Sequence, residues 1–212
     1  MWLHIDAAYG GGFAMLPEYH WITKGWELAD SIVINPHKTV FVPLDFSVLY
    51  VRRLERLRRV FTLVPEVLRG DTIEGEKNYM DYGIQLGRRF RALKAWVIWR
   101  SLGRAGVVAR LREQIRLASL LAKWIKKDNR FELSARSSMG VVCFRLIDAD
   151  AKKVDQLNSD IVERINASGR TYLTQTKLRG RTVMRIGLGN VLTTEEHLRK
   201  GWEIIQETAG NV

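Results

Sequence analysis

His4-Ile5-Asp6-Ala7-Ala8-Tyr9-Gly10-Gly11, read together with Asn35-Pro36-His37-Lys38, decides how the rest of this chain is read. Trp2 to Asp6 reads as a short buried strand that stops at a carboxylate. The run that follows, Ala7 to Gly12, is small and turn-forming. Ser31 to Ile34 is a second apolar segment, and it stops at Asn35-Pro36-His37-Lys38. Each segment sets ionisable groups at the end of an apolar strand, which is where α/β folds place their sites.

Working outward, Phe46 to Val51 reads as a third strand, and Arg52 to Arg69 is basic and mixed. Gly70 to Gly83 is polar and glycine-containing and reads as a loop. Residues 84–127 read as two helices broken near Gly103–Gly106. Composition changes at Asp128-Asn129-Arg130, and the expected order from there is strand, helix, hairpin, helix. Gly140 to Leu146 supplies the strand, and Val154, Leu157, Ile161 and Ile165 supply a helical stripe. Leu173–Leu178 and Thr182–Leu188 flank Arg179-Gly180-Arg181 as the hairpin. Thr193-Thr194-Glu195-Glu196 reads as a capping box opening a helix with Leu198, Trp202 and Ile205 on one face. The expected organisation is a larger α/β domain over 1–128 and a small α+β domain over 129–212.

Composition narrows the function classes. With 212 residues, 46% hydrophobic and 27% charged, the chain has material for a core and is not a disordered tail. The lone Cys143 excludes an internal disulfide and suits a reducing, cytoplasmic compartment. No apolar run approaches the ~18 residues of a membrane span, and the first residues lack a secretory pattern, so no membrane partner is expected. The net charge of +11 is concentrated in residues 88–130, which hold 13 Lys/Arg against Glu113 and Asp128. That stretch has helical period, with Leu111, Ile115, Ala118, Ala122 and Ile125 on one stripe. A basic nucleic-acid-binding module is one reading of it. No nucleic-acid-binding motif accompanies the charge, so a solvated helix face is the expectation and nucleic acid is not expected as a partner. Four histidines and one cysteine show no metal-ligand spacing, so no metal site is expected.

A carboxylate and a lysine delivered from two strand ends suit one cofactor, pyridoxal 5'-phosphate. The lysine bonds to its aldehyde, and the carboxylate keeps its pyridinium nitrogen protonated, so that the ring withdraws electrons. Ala8, two positions after Asp6, leaves room for a flat ring. By spacing alone the same two residues also read as an ordinary surface pair.

The wording of the segments says more. His4-x-Asp6-Ala7-Ala8-Tyr9-Gly10 and Asn35-Pro36-His37-Lys38, with Asp6 and Lys38 separated by 32 positions, resemble the group II pyridoxal-phosphate amino-acid decarboxylases. Asp81-Tyr82-Gly83-Ile84-Gln85-Leu86-Gly87-Arg88-Arg89-Phe90-Arg91-Ala92-Leu93-Lys94-Ala95-Trp96 and Gly140-Val141-Val142-Cys143-Phe144-Arg145-Leu146 extend the likeness nearly end to end, and the aromatic-amino-acid branch is the most similar. The resemblance implies that Lys38 is the Schiff-base lysine and that Asp6 holds the pyridinium nitrogen. It implies that Ala8 packs on one ring face, that His37 and Asn35 lie beside the cofactor and its phosphate, and that His4 supports the site. A core histidine is the other reading of His4.

Two departures accompany it. In the family the Asp-Ala-x-Tyr strand lies mid-chain, so this sequence resembles the C-terminal half of such an enzyme, with Met1 as an internal methionine. The absent half would bring the phosphate-anchoring loop, the second stacking ring and much of a dimer interface. Leu63-Val64-Pro65-Glu66-Val67-Leu68-Arg69 resembles the family's catalytic loop, which carries a tyrosine where Val67 stands. That tyrosine is implied to return a proton to carbon after carbon dioxide leaves, and valine has none to give. A one-residue shift of the loop is the other reading of Val67. Thr39 also replaces the aromatic residue that commonly follows the lysine. The expectation is therefore an α/β protein of the pyridoxal-phosphate type. Its expected reaction is decarboxylation of an amino acid, aromatic by resemblance, as a homodimer once completed. The alternatives are an inactive remnant and a homologue diverted to oxidative deamination.

Overall fold

Two parallel strands, β1 (His4–Asp6) and β2 (Ser31–Ile34), start the architecture, and β3 (Val48–Val51) adds antiparallel to β2. This is seen in a computed structural model that describes residues 1–62, 77–147 and 153–211. The described residues form two compact units, Met1–Gly103 and Arg104–Val212.

In the first unit the β1–β2 crossover is built of 3-10 turns, Gly10–Met15, Pro17–Thr23 and Trp26–Leu28. Phe13 and Leu16 from this crossover are fully buried, and Ala7, Ala29, Val40 and Val42 are buried as well. β1 is less buried than its composition suggested. His4 and Asp6 are exposed and Ile5 is half-buried, because the strand lies at the edge of the β1-β2-β3 sheet. A four-residue helix, α1 (Pro36–Thr39), follows β2 directly, with Pro36 at its first position, where the missing N–H costs nothing. After β3 comes α2 (Leu54–Phe61), inside the segment read as basic and mixed. Val67 and the loop resemblance around it fall within 63–76, outside the described residues.

The long helix α3 (Arg91–Lys127) contains one non-helical residue, Gly103, with φ 63° and ψ 170°. The expected break is therefore present and sits at the residue best able to adopt it. Helix begins at Arg91 rather than near residue 84, after a stretch interrupted by Gly83 and Gly87.

The second unit orders four antiparallel strands as β4-β5-β7-β6, where β4 is Phe131–Leu133, β5 Val141–Leu146, β6 Thr174–Leu178 and β7 Arg181–Gly187. The helices α4 (Val154–Ala167) and α5 (Glu195–Gly210) complete it. Leu117, Leu121 and Ile125 of α3 pack with Phe144, Met184, Ile161, Ile165 and Ile205 into one core. The basic stripe of the sequence is thus amphipathic for a structural reason. The second half of α3 groups with this module, so packing divides the chain within α3, whereas composition changes at its end. β4, only three residues long, escaped the sequence pattern. The hairpin turns on Arg179 and Gly180, both at positive φ, which is the two-residue geometry that matches strand twist. The capping box on α5 differs from the expected one. Thr194 is the N-cap, and His197, not a glutamate, closes the box onto the Thr194 backbone N–H.

Candidate functional site

The parallel pairing of β1 and β2 sets Asp6 opposite Val33. The pairing continues past both strands, where Ala7 N–H donates to Val33 O (3.0 Å) and Asn35 N–H to Ala8 O (3.0 Å). Both strands therefore deliver their carboxyl ends to one edge, Asp6 on the first and the Asn35–Lys38 turn on the second. Lys38 N–H donates to Asn35 O (2.9 Å), which winds the chain into α1 immediately beyond β2.

At Asp6 the backbone turns sharply. Ala8 N–H donates to Asp6 Oδ1 (3.0 Å), an Asx-type turn that fixes the carboxylate from its own strand end. Ala8 thus orients Asp6 through its backbone, in addition to offering a small side chain. Asp6 and Lys38 are both exposed. Among the described residues the Lys38 ammonium and Asp6 Oδ2 have no hydrogen-bond or ion-pair partner.

His37 is tied down. Its Nδ1 lies 2.6 Å from Phe46 O and 3.0 Å from Phe46 N, so the backbone of residue 46 holds the ring and Nε2 remains for other contacts. Phe46 is itself braced edge-on by Trp99, with centroids 6.2 Å apart. Arg91 Nε donates to the neighbouring Asp45 (2.9 Å) and holds that carboxyl below its usual range. Asn35 Oδ1 accepts from Ser47 Oγ (2.6 Å), which leaves the amide nitrogen of Asn35 as a donor. His4 lies two residues before Asp6 on the same face of β1. Its Nδ1 is 2.7 Å from Ser31 Oγ, which also accepts from Trp2 Nε1 (2.8 Å). His4 is exposed, so it is not a core histidine, and its ring, two residues back along β1 from Asp6, is held by Ser31.

Sequence reasoning missed the supports. Ser31, Ser47 and Phe46 hold His4, Asn35 and His37, and none carries a local signal. Thr39 is buried, and its hydroxyl donates to Tyr9 O (3.2 Å), joining α1 to the turn after β1. The glycine run has a packing reason. A Cβ on Gly12 would lie 2.3 Å from Thr39 Oγ1 and 2.7 Å from Val40 Cγ2. The one available signal was the run of three glycines, Gly10 to Gly12, where a single turn glycine would have sufficed.

The residues present have the chemistry that pyridoxal phosphate needs: an accessible amine at Lys38, an accessible carboxylate at Asp6, the small Ala8 two positions after it, and amide and imidazole groups at Asn35 and His37. Among the described residues no cluster of His, Cys, Asp or Glu could hold a metal ion, and no helix is long and apolar enough to cross a membrane.

Comparison with known proteins points to the same cofactor. Residues 1–147 match the model of the pyridoxal-dependent decarboxylase conserved domain. The chain is 33% identical over 210 residues to an aromatic-L-amino-acid decarboxylase of Catharanthus roseus, covering 98% of this chain and 42% of that protein. It is 35% identical to a phenylacetaldehyde synthase of Arabidopsis thaliana, covering 99% of this chain and 44% of that protein. A crystal structure of Oryza sativa TDC with PLP and tryptamine superposes with a TM-score of 0.92 at 33% identity, over 99% of this chain and 44% of that one. The chain thus spans less than half the length of these relatives.

Proposed function

Because this chain belongs to the pyridoxal-dependent decarboxylase family, we propose that it carries the Lys38 and Asp6 portion of a site that decarboxylates an aromatic amino acid. The observation that carries the proposal is the β1–β2 register. It carries Asp6, whose Oδ2 has no partner among the described residues, and the Asn35–Lys38 turn, whose ammonium has none there, to the same end of the sheet from positions 32 apart in sequence.

Pyridoxal phosphate, when bound, supplies an electron sink for the pair left behind as carbon dioxide departs. Lys38 Nζ would hold the cofactor through its aldehyde carbon. Asp6 would keep a proton on the ring nitrogen through Oδ2, while Oδ1 stays tied to Ala8 N–H. A fixed carboxylate needs no reorientation as charge develops, which is the electrostatic advantage of a preorganised site. Asn35 through its amide nitrogen and His37 through Nε2 act as phosphate donors. His4 steadies the strand behind Asp6. Homodimer assembly and a cytoplasmic location complete this reading. They are supported by the family resemblance and by the absence of cysteines other than Cys143.

Oxidative deamination is the second reading. Val67, in place of a tyrosine, and the likeness to a phenylacetaldehyde synthase favour it. Amine release supports decarboxylation, whereas aldehyde release with dioxygen uptake supports the second reading.

The test is direct. Pyridoxal phosphate is added to the chain, the adduct is reduced with borohydride, and the labelled peptide is mapped. The expected label is on Lys38, together with a visible absorbance band that Lys38→Ala removes. A band that persists in Lys38→Ala, or label spread evenly over surface lysines, overturns the assignment. No saturable cofactor binding at all supports the inactive remnant.

A further inference from the structure

A second polar recess lies in the second unit, remote in sequence from Asp6 and Lys38. It encloses about 300 Å³, at the lower end of the range that holds small ligands. Glu132, Ser134, Arg145, Arg179 and Arg181 supply its polar lining.

Arg145 is the unusual member. It comes from β5, whose alternate residues Phe144 and Leu146 enter the core, and its own side chain is only 7% exposed. Its Nη2 donates to Asp155 Oδ1 (3.1 Å). Its Nε is 4.0 Å from Glu132 Oε1, beyond hydrogen-bond distance. Among the described residues its Nη1 is buried with no partner, and so is Ser134 Oγ on the adjacent strand end. A buried guanidinium N–H without an acceptor is costly, and native structures nearly always provide one. Asp155 is occupied further, since Oδ1 also accepts Thr182 N–H (3.1 Å). The recess therefore sets two unsatisfied donors at its floor, with the exposed Arg179 and Arg181 at its rim. Among the described residues that line the recess or pair with Arg145, three guanidinium groups stand against two carboxylates, Glu132 and Asp155.

We propose that this recess is an oxyanion-binding site, in which Arg145 Nη1 and Ser134 Oγ hold a phosphate or carboxylate group and Arg179 and Arg181 attract it. Charge-assisted donors in a fork are the groups that recognise such anions. Glu132 competes with the ligand for the same guanidinium.

The test is calorimetric titration of the full chain at constant ionic strength, in one arm with inorganic phosphate and in the other with succinate. The expected result is saturable one-to-one binding in at least one arm, and the arm that binds identifies the source of the oxyanion. Ser134→Ala and Arg181→Gln each weaken it by about threefold or more, as expected for loss of one charge-assisted contact. Glu132→Gln tightens it by a similar factor, an effect that a merely structural role for Arg145 would not produce. Asn35→Ala, which removes a phosphate donor of the proposed cofactor site, leaves the constant unchanged and so separates the two sites. No saturable binding in either arm overturns the proposal. So does a constant that Ser134→Ala and Arg181→Gln leave unmoved or that Asn35→Ala abolishes.

Discussion

Gly12→Ala is the substitution that most directly links packing to the proposed chemistry. The new Cβ would lie 2.3 Å from Thr39 Oγ1, more than 1 Å short of an ordinary contact, and 2.7 Å from Val40 Cγ2. Both neighbours are β-branched and stiff at χ1. Thr39 is further held by its bond to Tyr9 O, so neither side chain can swing away cheaply. Overpacking of this kind costs about 1–3 kcal/mol, and the double contact places Gly12→Ala near the upper end. If the structure instead relaxes by pushing α1 outward, the displaced element is the one that carries Lys38. The cost then appears as lost cofactor affinity, about 30-fold for 2 kcal/mol. Urea unfolding and cofactor titration on the same variant read both routes. Gly83→Ala is the control, since a Cβ there meets nothing within 4 Å and the residue is extended. Gly11→Ala should fall between them, because its near atoms all belong to the single Ile34 side chain. The reasoning is refuted if Gly12→Ala matches Gly83→Ala in both stability and cofactor affinity.

Asn158→Ala should destabilise the second unit by about 2–4 kcal/mol, because it strands the buried Leu146 N–H and C=O that Asn158 now pairs; a loss below 0.5 kcal/mol in urea unfolding would contradict this. The Arg130 guanidinium, with help from Gln206, holds the Asp128 carboxyl well below the usual carboxylate range. A depressed folded value stabilises above the unfolded value of about 4 and is lost as pH falls below it. Asp128→Asn should therefore lower stability at neutral pH and flatten the acid limb of a stability–pH curve, and parallel curves would count against it. In hydrogen exchange, the amides of β5 and β7, central in their sheet, should be the slowest and those of edge strand β1 among the fastest; equal protection would remove the basis for this ranking.

Much of the fold was legible because its signals are local. Ser31–Ile34 is an uninterrupted apolar run and forms β2 at those bounds. The stripe Val154, Leu157, Ile161 and Ile165 has helical period and forms α4. Arg179-Gly180 offers a turn that two strands can share. What stayed hidden depends on partners distant in sequence. Phe131–Leu133 is too short to show alternation, and it becomes a strand only because β5 is there to pair with. Thr194 becomes the cap because His197 reaches back, a closure that a Ser/Thr-x-x-Glu template does not look for. At the candidate site Asp6 and Lys38 stood out by chemistry. Ser31, Ser47 and Phe46 did not, since a serine 27 residues from the histidine it holds carries no pattern.

Positioning at the proposed site rests on the backbone more than on a large core. The first unit buries Phe13, Leu16 and a few small residues. It leaves Leu44, Ile84, Phe90 and Trp96 exposed, while the second unit closes a continuous core. Yet every proposed site residue except Lys38 is fixed by a short polar tie: Asp6 and Ala8 by their shared turn, His37 by the Phe46 backbone, Asn35 by Ser47, His4 by Ser31. Among the described residues Lys38 has no side-chain tie, and its placement comes from α1, wedged against Gly12 and anchored through Thr39. An amine that must release one bonded carbon and take up another gains from a free side chain on a fixed helix. A carboxylate that must hold one proton gains from being immobilised. The two kinds of restraint therefore suit the two proposed roles, and the fixed point of the lysine lies in the glycine packing behind it.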